Sequence, residues 1–152
     1  MKNIVYNKYR KYIKEQRFMD KEMIQHLIDT ALAQRKYSYT PYSGFKVGAA
    51  LLAQNGAVYT GCNIENAAYG PSNCAERTAI FKAVSEGMRD FLAICVVGGL
   101  EEGIQDMCPP CGVCRQVMLE FCNEDFQIIL ATDRENYEIH TLGELVPMGF
   151  KL

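Results

Sequence analysis

Apolar positions along this chain change period several times, and each change marks an element. Met23, Ile24, Leu27, Ile28, Ala31 and Leu32 recur at helical spacing behind Asp20, a residue suited to capping a helix. The spacing predicts a helix from Asp20 to about Tyr37. Pro41-Tyr42-Ser43-Gly44 reads as a turn. Residues 46–54 read as a strand, Asn55-Gly56 as a hairpin turn, and 57–62 as the returning strand. Residues 63–73 are polar and marked by Gly and Pro, which predicts a loop. A helix follows over 74–86, closed by Gly87, then a buried strand over 91–98 and a loop over 101–107. Pro110 opens a further helix near 111–121, because proline suits a first helical turn. Residues 127–132 and 137–140 read as strands, and Thr141 with Glu144 forms a capping box for a last short helix that Pro147 ends. A hairpin followed by strand–helix alternation implies a mixed sheet with helices on its faces, an α/β layered domain.

With 152 residues the chain can build one compact domain, and 49% hydrophobic residues exclude a disordered one. No apolar run is long enough to span a bilayer, and the N-terminus lacks the apolar core of a secretory signal. A cytoplasmic protein is expected. The net charge of −2 calls for neither nucleic acid nor membrane. The charge is uneven, however. Lys2, Lys8, Arg10, Lys11, Lys14, Arg17 and Lys21 against Glu15 and Asp20 give the first 21 residues a charge of +5. A basic arm can hold phosphate backbones, but one short arm without a motif reads first as a solvated tail. Residues 1–19 are therefore set apart as a basic extension, helical or disordered, and 20–152 as the domain.

The chain has seven cysteines, an odd number, so metal binding or plain burial is expected before a disulfide framework. Cys95 lies in an apolar run and reads as core filler, and Cys62 and Cys122 lack partners at ligand spacing. Cys111 and Cys114 stand three apart at a helix start, where two thiolates can share one zinc, and Cys74 supplies a third ligand. Three protein ligands leave the fourth position to water, which is the catalytic arrangement. Cys108 also makes a C-x-x-C with Cys111, so a closed structural site of Cys74, Cys108, Cys111 and Cys114 is the competing reading. Glu76, two residues after Cys74, is the candidate general acid and base, although a lone Glu there would be read as an ordinary helix N-terminal acid. Three thiolates outweigh the charge of Zn²⁺ by one. Helix N-termini can offset that excess, and so can Arg77, which otherwise reads as half of a surface salt bridge.

At these residues the chain resembles the small homotetrameric zinc-dependent cytidine deaminases, over about residues 22–150. The resemblance rests on four ordered stretches. They are Pro41-Tyr42-Ser43-Gly44-Phe45-Lys46-Val47-Gly48-Ala49-Ala50-Leu51, Gly61-Cys62-Asn63-Ile64-Glu65-Asn66-Ala67-Ala68-Tyr69, Cys74-Ala75-Glu76-Arg77 and Pro110-Cys111-Gly112-Val113-Cys114-Arg115-Gln116. It implies a three-layer α/β/α fold with a mixed five-stranded sheet and one Zn²⁺ per subunit on Cys74, Cys111 and Cys114. It also implies hydrolytic deamination of cytidine and 2′-deoxycytidine in pyrimidine salvage, with zinc-activated hydroxide as nucleophile and Glu76 moving the protons. By the same resemblance, Asn63 and Glu65 would bond the ribose hydroxyls, and Phe45 and Ala75 would line the substrate. Arg77 would bond the ligand sulfurs. Tyr69 and Phe150 would reach the pockets of neighbouring subunits in a homotetramer with shared active sites. A nucleoside is then the partner, with no membrane and no nucleic acid. Two features depart from the family pattern: the arm up to about Phe18, and the extra thiol of Cys108. A deaminase of another aminopyrimidine nucleoside such as the blasticidin S type, a polynucleotide editor using the basic arm, and a zinc-stabilised structural module remain the competing functions.

Overall fold

A computed structural model describes residues 19–152, so the basic extension lies almost wholly outside the described residues. Nine elements follow: α1 (Lys21–Gln34), β1 (Lys46–Ala53), β2 (Val58–Cys62), α2 (Ala75–Ser85), β3 (Phe91–Gly99), α3 (Gly112–Phe121), β4 (Gln127–Ala131), β5 (Tyr137–Thr141) and α4 (Leu142–Leu145). The strands form one sheet in the order β2-β1-β3-β4-β5. β3 and β4 are parallel and every other pair is antiparallel, so the sheet is mixed and five-stranded, as expected.

Alternation along the strands sorts the core into two halves. Ala50, Leu52, Ala93, Cys95, Val97 and Ile129 face α1, meeting Leu27, Ile28 and Ala31. Val47, Ala49, Leu51, Val96, Ile128 and Leu130 face the other way, meeting Ala79 and Ile80 of α2 and Met118 of α3. Helices thus cover both faces in three layers. On the second face, α2 presses onto β2 at Gly61. A Cβ there would lie 2.2 Å from the Ala75 carbonyl oxygen and 2.6 Å from the Ala79 nitrogen. The missing side chain lets the start of α2 touch the sheet.

Local chemistry accounts for the boundaries. Asp20 caps α1 by accepting from the Met23 N–H at 2.8 Å. The helix expected to run to Tyr37 ends at Gln34 and tightens into a 3₁₀ turn over Arg35–Tyr37. There the Arg35 guanidinium turns back to bond the carbonyls of Lys46, Gly99 and Leu100. Gly56 takes a positive φ of 85° in the β1–β2 turn, the conformation glycine permits cheaply. The capping box is present: Thr141 Oγ1 accepts from the Glu144 N–H, and the Glu144 carboxylate accepts from the Thr141 N–H.

Candidate metal centre

The two helices on the second face carry the candidate site at their N-termini. Cys74 is the N-cap of α2 and Cys111 the N-cap of α3, both with extended backbone. The expected helices at 74 and 111 therefore begin one residue later, and these two thiols stand just outside the first turn. Neither side chain caps its helix. Both sulfurs are left for other work, and the free N–H groups of each first turn add a positive field. Cys114, one turn into α3, is fully buried. Arg115 braces this arrangement: Nε donates to the Pro110 carbonyl at 2.7 Å and Nη1 to the Leu145 carbonyl at 2.9 Å. It ties the approach to Cys111 onto α4.

The three sulfurs of Cys74, Cys111 and Cys114 lie within 4.8 Å of one another. Cys74 and Cys111 are 3.8 Å apart. Two sulfurs bound at ~2.3 Å to one tetrahedral ion would be separated by about 3.8 Å, so the donor set fits zinc in chemistry and spacing. Among the described residues no other group of three ligating side chains forms such a cluster. Cys108 is not part of it, which removes the closed four-cysteine reading. Cys62, Cys95 and Cys122 are buried in the core, as their surroundings in the sequence indicate.

The electrostatics centre on Cys74. The neighbouring Cys114 thiol, hydrogen-bonded to it, holds the Cys74 thiol down at about 5 against the opposing effect of burial, with Arg77 helping. Arg77 Nη2 donates to the Cys74 sulfur at 3.3 Å, so among the described residues the arginine contacts one of the clustered sulfurs and makes no surface salt bridge. Its Nε is buried without a hydrogen-bond partner among the described residues. Glu76 is the buried charged residue of the described core, 3% exposed. Burial pushes its carboxyl up to about 7, with the negative charge of Cys74 adding to the rise. A carboxyl poised near neutrality can both take and return a proton. Burial also pushes the Cys108 thiol up to about 11, reinforced by the charges of Glu76 and Cys74.

The loop residues singled out from the sequence are already at work within the chain. Asn63 Oδ1 accepts from the Val47 N–H at 2.9 Å, and its Nδ2 donates to the Phe45 carbonyl at 2.8 Å. Glu65 accepts from the Tyr42 and Ser43 N–H groups and from the Ser43 hydroxyl. Phe45 is 39% exposed. Ala75, in the first turn of α2, is fully buried. Tyr69 and Phe150 stand out from the surface at 93% and 68% exposure. The Phe150 carbonyl accepts from Gln116 Nε2. Sequence reasoning overlooked Ser43 and the bracing role of Arg115, since neither partner is near at helical or strand spacing.

Three thiols with one position left open define a class, the catalytic zinc-thiolate proteins, because structural zinc sites close with four protein ligands. Comparison with known proteins narrows that class. The sequence model of the cytidine and deoxycytidylate deaminase zinc-binding region matches residues 21–130, and the chain belongs to that family. The cytidine deaminase of Sporosarcina psychrophila is 48% identical over 127 residues, 84% of this chain and 90% of its own length. That of Halalkalibacterium halodurans is 49% identical over 132 residues, 87% and 95%. The crystal structure of cytidine deaminase from Burkholderia pseudomallei superposes with a TM-score of 0.75 at 45% identity, covering 82% of this chain and 97% of that one. No helix among the described residues is long and apolar enough to cross a membrane.

Proposed function

We propose that this chain hydrolyses cytidine and 2′-deoxycytidine to uridine, or 2′-deoxyuridine, and ammonia, as a cytoplasmic step of pyrimidine salvage. The observation that carries the reading is the buried carboxyl of Glu76, raised to about 7 and two residues beyond Cys74 in a cluster of three thiols. Membership of the family and the names of the relatives support the substrate.

Zinc held by Cys74, Cys111 and Cys114 would supply the acidification that lets water give up a proton near neutral pH. Glu76 takes that proton and hands it to the pyrimidine ring nitrogen. The water oxygen bonds the ring carbon bearing the amine. Glu76 then carries the second water proton to the amine, the C–N bond breaks, and ammonia leaves. Both protons of the consumed water are accounted for, one on the ring nitrogen and one on ammonia. Arg77 offsets the surplus negative charge of the sulfurs. Asn63 and Glu65 offer their remaining hydrogen-bonding capacity to the ribose hydroxyls. A site built to bond the 3′-hydroxyl, which both substrates carry, rejects analogues lacking it. Phe45 and Ala75 pack against the bound nucleoside. The exposed side chains of Tyr69 and Phe150 complete pockets of neighbouring subunits in a homotetramer.

The test is ammonia release from cytidine by the purified protein, before and after exhaustive zinc chelation. Release that depends on zinc supports the reading. In a Glu76→Ala variant zinc content stays at about one per chain while turnover falls by at least ~10²-fold. A folded, zinc-loaded protein that releases no ammonia from cytidine refutes the assignment. A fully active Glu76→Ala protein removes Glu76 from it. Sedimentation of the active protein as a monomer would remove the shared pockets.

A further inference from the structure

Cys108 is the one cysteine outside the metal set that is not fully buried, packing against the core from its margin. It is half-buried, and its thiol has no hydrogen-bond partner among the described residues. Two neighbours define its position. On one side lies Gly98 of β3. A Cβ on Gly98 would sit 2.7 Å from the Cys108 sulfur and 2.9 Å from Cε1 of Phe45. The thiol and the edge of the Phe45 ring therefore share one patch of bare strand, each close to a point where any side chain at 98 would stand. On the other side, Cys108 packs against the core half that holds Ala75, Ala79 and Ile80 of α2. Cys108 thus stands beside the Phe45 ring edge on the sheet face covered by the helix that carries Cys74 and Glu76. Its approach is stiff, since Pro109 and Pro110 follow it and Arg115 holds the Pro110 carbonyl.

We propose that Cys108 is a specificity-determining wall residue, forming with Phe45 across Gly98 the surface against which the pyrimidine ring packs. This rests on the nucleoside reading of the site. A thiol is small, polarizable and weakly hydrogen-bonding, so it offers an aromatic ring a close apolar contact. Its volume fixes the room beside the Phe45 ring. Residues that match the sulfur poorly change which bases fit and leave the metal set intact.

The experiment compares Cys108→Ala and Cys108→Leu with the wild type on cytidine and 5-methylcytidine, with zinc measured on each purified protein. The two or more carbons that leucine adds are expected to raise KM for cytidine at least about tenfold. Alanine is expected to shift the kcat/KM ratio toward 5-methylcytidine by about fivefold or more, since a methyl-sized change in an apolar pocket carries that order of discrimination. Both variants are expected to hold zinc as the wild type does. A second readout needs no variant: uridine should slow alkylation of Cys108 by N-ethylmaleimide, mapped by peptide mass spectrometry on the zinc-loaded protein. Loss of zinc in Cys108→Ala overturns the proposal by making the residue a ligand. Unchanged selectivity and KM in both variants, with no protection by uridine, overturns it as a wall. A wild type that does not deaminate cytidine fails the nucleoside reading itself, and is told apart because it needs no variant to be seen.

Discussion

Arg77 donates a hydrogen bond from Nη2 to the sulfur of Cys74 at 3.3 Å, one turn along the helix that Cys74 caps. The bond favours the thiolate over the thiol, and a metal competes with protons for that sulfur. It also returns positive charge to a ligand set whose three thiolates outweigh a divalent ion. Arg77→Gln removes the charge and keeps much of the side chain's reach. Zinc affinity, measured by competition with a chromophoric chelator, should fall by about 10- to 100-fold, the usual cost of losing such a supporting contact. Arg77→Lys should recover part of the loss, because the charge returns without the planar fork. Equal affinity in all three proteins would show that the contact does not tune the metal.

Gly61 sets the distance between the sheet and the start of α2. A methyl group there would meet the Ala75 carbonyl oxygen and the Ala79 nitrogen, both backbone atoms that cannot rotate aside. Gly61→Ala must push α2 outward, and Cys74 and Glu76 ride on that helix start. Overpacking of this kind costs about 1–3 kcal/mol. The expected result is a lower midpoint in urea together with weaker zinc retention. A midpoint shift with unaltered zinc affinity would mean that the strain is absorbed away from Cys74.

The elements were legible because their signals are local. Six apolar residues at helical spacing behind Asp20, the Asn55-Gly56 turn, and the Thr141–Glu144 capping box each decide their own structure within a few residues. The end of α1 was not, because it depends on Arg35 reaching carbonyls up to 65 positions away. Strand order was hidden for the same reason: nothing local places β3 between β1 and β4. In the site, Cys111 and Cys114 announce themselves by spacing. The reach of Arg115 to Leu145 exists only after α3 and α4 have packed. Cys108 was legible in part. It has C-x-x-C spacing with Cys111, but the two prolines between them set it outside the helix that orients Cys111 and Cys114, and the metal cluster leaves it out; its place against Gly98 depends on tertiary packing.

Ser43 and Glu65 couple the two loops beside the site. The Ser43 hydroxyl and N–H both bond the Glu65 carboxylate, and the same hydroxyl accepts from the Phe45 N–H at 3.0 Å. The hydrogen bond from Ser43 holds the Glu65 carboxyl below the usual carboxylate range. Ser43→Ala removes the hydroxyl from both contacts and frees the turn that carries Phe45. KM for cytidine should rise about two- to tenfold, the range of one net hydrogen bond, with little change in zinc content. A fall in kcat with KM unchanged would instead place the effect at the proton-transfer step.

Glu76 makes the stability of the metal-free protein depend on pH in a predictable direction. Its folded carboxyl is raised to about 7 from the ordinary 4.5, mainly because burial disfavours the charge. Below the ordinary value both folded and unfolded chains hold the proton, and the residue costs nothing. Between the two values the unfolded chain has lost its proton while the folded one keeps it, so stability falls as pH rises. Above the folded value the whole penalty is present, on the order of 3 kcal/mol for a shift of this size. Glu76→Gln removes the charge and keeps the shape. The variant should match the wild type near pH 4.5 and exceed it increasingly up to about pH 7, with a constant gain beyond. Other titrating groups are common to both proteins and largely cancel in the difference, which paired urea titrations of the metal-free proteins at pH 4.5 and 8 would measure. A gain of the same size at both pH values would mean that burial does not hold the Glu76 proton, and the poised acid–base role would lose its physical basis.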